Sequence, residues 1–353
     1  SGSSSGSTSG SNSSGSTSGS SSGSSTSSSG GSSGRDSGSG SGPSQSGGCA
    51  GGSCLNPSCA ALTTAAPIDM YPGTGFESQP TYIPPDVIIP TLDDVPDGAN
   101  TSMAKMPGHW VTANLQWLDM NHLHWDFFLN TNNACGDISS ASADSECLAA
   151  VTDILTLHNP GNHTVHHAHL AGSTGDGLPY CSDASCVDME VSGVETVINS
   201  LSMGDRPHLT RFRAPFGEPY QVGTSTYVQP EVAKYAVSIG WNLDSTDSLY
   251  DNGTMCTDMN NNPAPCQTGQ SIAAAVENLI GTPNNGSAYG IVLMHGIFGW
   301  THDAISILFD PNTGYMKQKG FRIGTVEDAI CWKYGKHSWE IVQQLTGQPR
   351  STN

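Results

Sequence analysis

Short apolar runs alternate with amphipathic stretches along most of this chain. Val87-Ile88-Ile89-Pro90-Thr91-Leu92 predicts a buried strand, with Pro90 as an objection because proline cannot donate to a ladder. Val111, Leu115 and Leu118 fall at helical spacing and predict a helix over 111–121, followed by a strand from Trp125 to Asn130. Leu148, Val151, Ile154 and Leu155 line one face of a helix at about 146–158, and a further amphipathic helix covers 187–203. Beyond these, Thr210-Arg211-Phe212-Arg213 reads as a strand end, 228–238 as a helix, 239–243 as a strand and 272–280 as a helix. Gly290-Ile291-Val292-Leu293-Met294 is the clearest buried strand. A helix at about 301–308, with Thr301 as its N-cap, then leads to a strand at 320–324 and a helix opening at Val326.

Strands alternating with helices predict an α/β domain built on a parallel sheet. The length favours a barrel-like (β/α) arrangement over an open doubly wound sheet. No Gly-x-Gly-x-x-Gly or phosphate loop follows any predicted strand, so nucleotide use is not expected.

Composition divides the chain of 353 residues. Residues 1–48 are almost wholly Ser, Gly and Thr, a flexible linker whose ends lie roughly 35–42 Å apart. It would suit a surface tether or a join to a second module. Residues 49–85 carry Cys and Pro and read as an arm packed on the domain, 86–345 as the catalytic domain and 346–353 as a tail. The balance of 12 Lys+Arg against 31 Asp+Glu, a net charge of -19, argues against nucleic acid and anionic membranes. A neutral glycan remains compatible. No apolar run approaches the ~20 residues that span a bilayer, and a chain starting at Ser1 without Met is expected to be processed or truncated.

Ten cysteines are an even number. Cys135/Cys147, Cys181/Cys186 and Cys256/Cys266 each bracket a polar loop and predict staples formed in an oxidising compartment, hence a secreted or cell-envelope protein. Cys49, Cys54, Cys59 and Cys331 would supply two more bridges. None of these spacings is a Cys-x-x-Cys knuckle, so zinc binding by the cysteines is the weaker reading.

Chemistry concentrates around Asn162-His163-Thr164-Val165-His166-His167. His163 and His167 are four residues apart, which on a helical turn puts both rings on one side, close enough to share a divalent ion. Asp94 could complete a set of one carboxylate and two imidazoles, a donor set that leaves room for water as in catalytic zinc sites. Asp93 is the candidate base and His295 the candidate acid. Arg213 would hold Asp93 ionised, and Asp247 would do the same for His295. Asp93-Asp94, Arg213, Asp244, Asp247 and His295 all follow predicted strands, and in a barrel those strand ends meet at one mouth. The parts describe metal-assisted hydrolysis of an amide or ester.

Five ordered motifs also resemble those of the polysaccharide deacetylases of carbohydrate esterase family 4, over about residues 86–331. Thr91-Leu92-Asp93-Asp94 is similar to Thr-Phe-Asp-Asp, and His163-Thr164-Val165-His166-His167 to His-Ser/Thr-x-x-His. Arg213-Ala214-Pro215-Phe216 is similar to Arg-x-Pro-Tyr/Phe, Asp244-Ser245-Thr246-Asp247 to Asp-x-x-Asp-Trp, and Leu293-Met294-His295 to Leu-x-His. The resemblance implies a distorted barrel of about seven parallel strands and a divalent metal, zinc first and cobalt or nickel next, on Asp94, His163 and His167. It makes Asp93 the base, His295 the acid, and Arg213 and Asp247 their partners. The amide N–H of Phe216 would be an oxyanion donor and Leu293 part of an acetyl-methyl pocket. Trp241 and Asp244 join Phe216 and Leu293 as substrate-contacting positions. Leu92 replaces Phe, Ala168 replaces the Pro after the second His, and Ser248 replaces the Trp of one groove wall.

The implied substrate is an acetylated polysaccharide: chitin, its oligomers or peptidoglycan. O-acetylated xylan and a degenerate glycan-binding protein are the alternatives. An iron(II) oxygenase using His124 and Asp126 lacks an equally well-placed third His. His166 and His169 read as hydrogen-bonded rather than ligating, and Trp241, Phe298 and Trp300 as either core or sugar-stacking. Asn12, Asn100, Asn162, Asn252 and Asn285 lie in glycosylation sequons, with Asn162 too close to a proposed ligand to be modified.

Overall fold

Strands form at β-branched and aromatic stretches such as Val87–Val95 and Asp126–Leu129, and also at short polar ones such as Asn159–Asn162. In chain order these are β1 (Gly73–Thr74), β2 (Val87–Val95), β3 (Asp126–Leu129), β4 (Asn132–Asn133), β5 (Gly136–Asp137), β6 (Asn159–Asn162), β7 (Arg211–Phe212), β8 (Val237–Ile239), β9 (Leu243–Asp244), β10 (Cys256–Thr257), β11 (Pro263–Ala264), β12 (Gly290–His295) and β13 (Arg322–Ile323). The computed structural model describes residues 54–96, 109–133, 135–140, 142–172, 174–175, 177–201, 208–218, 227–249, 256–257, 263–264, 267–281 and 289–348.

Nine of these strands make one parallel sheet, ordered β1-β8-β7-β6-β3-β2-β12-β9, with β13 pairing the start of β2. Ile239 closes β8 near one end of that order, and Leu243 opens β9 at the other. Four residues reach at most about 14 Å. The sheet must therefore curl until its ends nearly meet, which makes it a distorted barrel.

Alternation along β2 explains why its sequence reads as continuously apolar. Ile88 and Leu92 enter one hydrophobic cluster with Leu115, Ile154, Val292 and Ile305, while Val87 and Ile89 enter another with Val237, Ile291 and Ile330. Helices α1 (Trp110–Met120), α2 (Ser145–Leu157), α3 (Ala184–Ser200), α4 (Val228–Ala233), α5 (Gly269–Gly281), α6 (Gly299–Phe309), α7 (Tyr315–Lys319), α8 (Val326–Tyr334) and α9 (Ser338–Thr346) fill the connections between strands and complete the C-terminal end. Side chains cap several of them: Asp144 accepts from the Glu146 amide, Asp183 from the Cys186 amide, and Thr325 forms a capping box with Asp328.

Pro90 fits because the neighbour of β2 changes there. β13 pairs at Val87 and Ile88 and β3 begins at Thr91, so no ladder bond needs the missing N–H. Three expectations are corrected. The predicted helix at 228–238 ends at Ala233, since Val237-Ser238-Ile239 is strand. The predicted strand at 239–243 is two strands separated by the crossing at Gly240. A Cβ on Gly240 would come within 2.4 Å of the Phe76 ring, so the crossing requires glycine. Thr301 is not the cap of α6: Phe298 holds that position, and the Thr301 hydroxyl donates instead to Asp247 at 2.6 Å.

Disulfides join Cys59–Cys331, Cys135–Cys147 and Cys181–Cys186, and Cys54 is also disulfide-bonded. The first staples the N-terminal arm along α8, where the Asn56 amide donates to Asp328 and the Leu62 amide to the Trp332 carbonyl. Cys49, Cys266, the Ser/Gly run at 1–48 and the sequons at Asn12, Asn100, Asn252 and Asn285 lie outside the described residues. Asn162 is buried, donating to the Val191 carbonyl, so its side chain is closed to modification. Among the described residues, no helix is long and apolar enough to cross a membrane.

Beneath β3, Asp126 is buried with Arg211 3.5 Å away and accepts the Val326 amide. Burial, reinforced by Asp328 and Glu327, pushes its carboxyl up to about 7 despite Arg211. A folded pKa above the unfolded value stabilises below pH ~4, and that stabilisation is lost as pH rises through about 7. Replacing Asp126 with Asn is expected to flatten the pH 4–7 slope of unfolding free energy by a few kcal/mol. Urea midpoints across that range, compared with wild type, check it.

Candidate active site

Four strand ends and a short 3-10 turn deliver the polar groups. Asp93 and Asp94 close β2, His163 follows β6, Arg213 follows β7, Asp247 opens the turn Asp247–Leu249 after β9, and His295 ends β12. Consecutive strand residues normally face opposite sides. Here the β2–β3 register shifts between Leu92 and Val95, and Asp94 takes a left-handed φ of 64°, so both carboxylates reach one cavity. That cavity of about 340 Å³ is lined by Asp93, Asp94, His163, His167, Ala214, Phe216, Trp241, Asp244, Ser248, Leu293, His295, Ile297 and Phe298. Thr164, His167, Phe216 and Thr246 also have positive φ. Strained non-glycine backbone of this kind clusters at functional sites.

The His163/His167 pair does not lie on a helix. The segment is a turn after β6, and its left-handed residues bring the ring centroids to 5.0 Å. His163 Nδ1 donates to the Arg213 carbonyl at 2.7 Å, which turns Nε2 toward Asp94, 3.4 Å from its Oδ1. His167 Nε2 lies 3.1 Å from the same oxygen. Burial brings His167 down to about 4 against the pull of Asp94, so its ring is neutral near pH 7. Burial alone would raise the Asp94 carboxyl, but His167, His163 and His295 outweigh it and hold it well below the usual carboxylate range.

Asp94 Oδ1 is buried with no hydrogen-bond partner among the described residues. One carboxylate oxygen thus faces two imidazole nitrogens, the three ligand atoms lying within 4.8 Å of one another. Donors about 2.0–2.2 Å from a tetrahedral zinc stand roughly 3.3 Å apart. The separations of 3.1 and 3.4 Å match that spacing, so these residues fit a divalent cation.

On one side, the Arg213 guanidinium donates to Asp93 Oδ1 at 2.7 Å and to Thr91 Oγ1 at 2.6 Å. It is fully buried, packs 4.3 Å from the Phe128 ring and donates to the Ile239 and Gly240 carbonyls. On the other side, His295 Nδ1 lies 2.8 Å from Asp247 Oδ1. Asp247 Oδ2 accepts from the His295 amide and from Thr301, and the Trp300 indole donates to the Asp247 carbonyl. Burial opposes a charge on His295, but Asp247, with Asp94 and Asp93 adding to it, pushes the imidazole up to about 10. The ring therefore carries a transferable proton at pH 7.

Asp93, Asp94, His163, His167, Phe216, Trp241, Asp244, Leu293 and His295 line this cavity, with Arg213 and Asp247 directly behind it, whereas His124 and Asp126 lie outside it. Thr91, Thr301 and the Trp300 indole were missed as supports for Arg213 and Asp247, because their partners are remote in sequence and leave no local signal. His166 hydrogen-bonds Glu190, His169 hydrogen-bonds Glu218, and His124 contacts the Leu157 carbonyl. Phe298 lines the cavity and stacks on Trp300 at 5.0 Å, while Trp241 lines the opposite part and donates to Asp244. Asp119, Asp153 and His158 form another acidic group, but the Trp125 amide donates to His158 Nδ1, leaving the ring proton on Nε2, 3.3 Å from Asp119.

The structure thus sets an Asp-His-His cluster in a parallel (β/α) barrel, between an Arg-held carboxylate and an Asp-held imidazole. The chain is also similar to several solved structures. They include the chitin deacetylase of the fungal pathogen Colletotrichum lindemuthianum, at 20% identity over 70% of this chain and 88% of that one, with a TM-score of 0.44. A Streptococcus mutans CE4 esterase matches at 16% identity over 72% and 92%, TM-score 0.46. A CE4 family pseudoenzyme, BA3943 from Bacillus anthracis, matches at 12% identity over 72% and 68%, TM-score 0.43. No family model matches the chain, and no curated protein does.

Proposed function

We propose that the protein is a secreted, metal-dependent hydrolase that removes acetyl groups from N-acetylglucosamine units of a polysaccharide such as chitin or peptidoglycan. The observation that supports this best is the buried, unpartnered Asp94 Oδ1 facing His163 and His167, with a held base and a held acid in the same cavity. A divalent cation on those three residues, zinc by preference, would supply Lewis acidity toward the acetyl carbonyl and lower the pKa of a water to ~7.

Asp93, paired with Arg213 through Oδ1, takes the proton of the attacking water on Oδ2, the oxygen away from the guanidinium. The Phe216 amide donates to the developing oxyanion, and Leu293 packs against the acetyl methyl. His295, with Nδ1 on Asp247, gives its other ring proton to the nitrogen as the C–N bond breaks, releasing acetate and a free amine. Aromatic faces at Phe216 and Trp241 suit stacking on sugar rings. The disulfides suit an oxidising, extracellular compartment, and the Ser/Gly run suits a tether.

The test measures acetate from chitin oligomers, peptidoglycan and acetylated xylan with the metal stripped and then restored as zinc, cobalt or nickel. Release from the N-acetylated polymers that vanishes with chelator and returns with metal is expected. Release from xylan alone would move the substrate to O-acetyl esters. Polymer binding without acetate under every metal would make the chain a non-catalytic glycan binder.

A further inference from the structure

The turn that carries both ligand imidazoles is strained: Thr164 has φ 73° and His167 has φ 54°. Non-glycine residues stay in that region only where their surroundings over-determine it. The first half of the turn is tied from the ends of β3 and β6, with the Asn130 side-chain Nδ2 donating to the His163 and Thr164 carbonyls and the Thr164 N–H to Asn162 Oδ1. The second half is tied from α3 by one residue. Glu190 accepts the Val165 amide on its main-chain carbonyl at 3.1 Å. Its carboxylate accepts the His166 amide on Oε2 at 2.9 Å and the His166 ring Nδ1–H on Oε1 at 2.7 Å.

The Asn132 side-chain amide lies 3.1 Å from His166 Nε2 and donates to it, which leaves the ring proton on Nδ1, facing Glu190. Glu190 is buried on α3, and Gly193, one turn further on, lets the helix approach so closely that a Cβ there would come within 2.6 Å of Val165. Three bonds from one side chain and its own carbonyl therefore fix the two residues that immediately precede His167.

We infer that Glu190 is the positioning residue of the metal centre, clamping the turn through His166 so that His167 faces Asp94, and that it thereby sets metal affinity without touching the ion. This rests on the reading of Asp94, His163 and His167 as ligands. Groups one step behind metal ligands typically change affinity by about 10–100-fold when removed.

Zinc affinity is measured on the full chain by competition with a chromophoric chelator, beside a thermal melt, so acetate release plays no part in the readout. Glu190→Ala is expected to weaken zinc by about 10–100-fold. Glu190→Gln, whose amide oxygen can still accept the His166 N–H, should recover most of that loss, and His166→Ala, which keeps the main-chain bond, should fall between. Val191→Ala trims buried apolar packing on the same helix and is expected to lower the melting temperature with zinc affinity unchanged. Folded Glu190→Ala with wild-type affinity overturns the inference and leaves the ligand assignment standing. Should Glu190→Ala fail to fold, wild-type affinity in both Glu190→Gln and His166→Ala overturns it. A wild-type chain that binds no zinc overturns both.

Discussion

Replacing Asp94 with alanine is expected to abolish zinc binding and acetate release together. Its Oδ1 is the one oxygen that stands 3.1 Å from His167 Nε2 and 3.4 Å from His163 Nε2. Without it the two rings lose the one oxygen they share, and two imidazoles alone fall short of the three protein ligands of catalytic zinc sites. Equilibrium dialysis should find the metal gone, and activity should drop to the level of chelator-treated wild type. Asp93→Asn provides the contrast. It leaves the three ligands in place but cannot accept a proton, so kcat is expected to fall about 10²–10⁴-fold with zinc retained. Full activity in Asp94→Ala would mean that the cluster has been misread.

The second large effect is on stability. Arg213→Met removes the only cation bonded to Asp93 among the described residues, at a position with no solvent access. Breaking a buried pair from one side leaves a charge in low dielectric, and the expected loss is about 3–5 kcal/mol in unfolding free energy. Urea denaturation of Arg213→Met, Asp93→Asn and the double variant separates the terms. The double variant should be more stable than Arg213→Met alone, since the stranded carboxylate is gone. If Arg213→Met proved as stable as wild type, Asp93 would already be neutral, and its assignment as the base would fail with it.

Much of this architecture could be read from residue pattern. β2 and β12 open on apolar runs buried on both faces, and such runs have few alternatives. The chemistry was legible because it sits directly after those runs, at positions a barrel gathers. What escaped was whatever depends on partners remote in sequence. Thr301 looks like a cap, yet its hydroxyl serves Asp247, 54 positions earlier in the chain. Val237 and Ser238 continue the pattern of the helix before them, and only the neighbouring β1 and β7 make them strand. The spacing of His163 and His167 indicated that the rings meet but gave the wrong cause, since left-handed Thr164 and His167, not a helical turn, bring them together. Glu190 gave no signal either, because helix periodicity explains a Glu on α3 without reference to the turn beneath it.

Arg213 bonds the Ile239 and Gly240 carbonyls, at the start of the short passage that carries the chain from one end of the curled sheet to the other. The guanidinium that holds Asp93 thus hangs from the seam of the cylinder. Shutting the scaffold and setting Asp93 in place are one assembly event, and lengthening that seam by even one residue would be felt at Asp93 before it was felt in the helices outside.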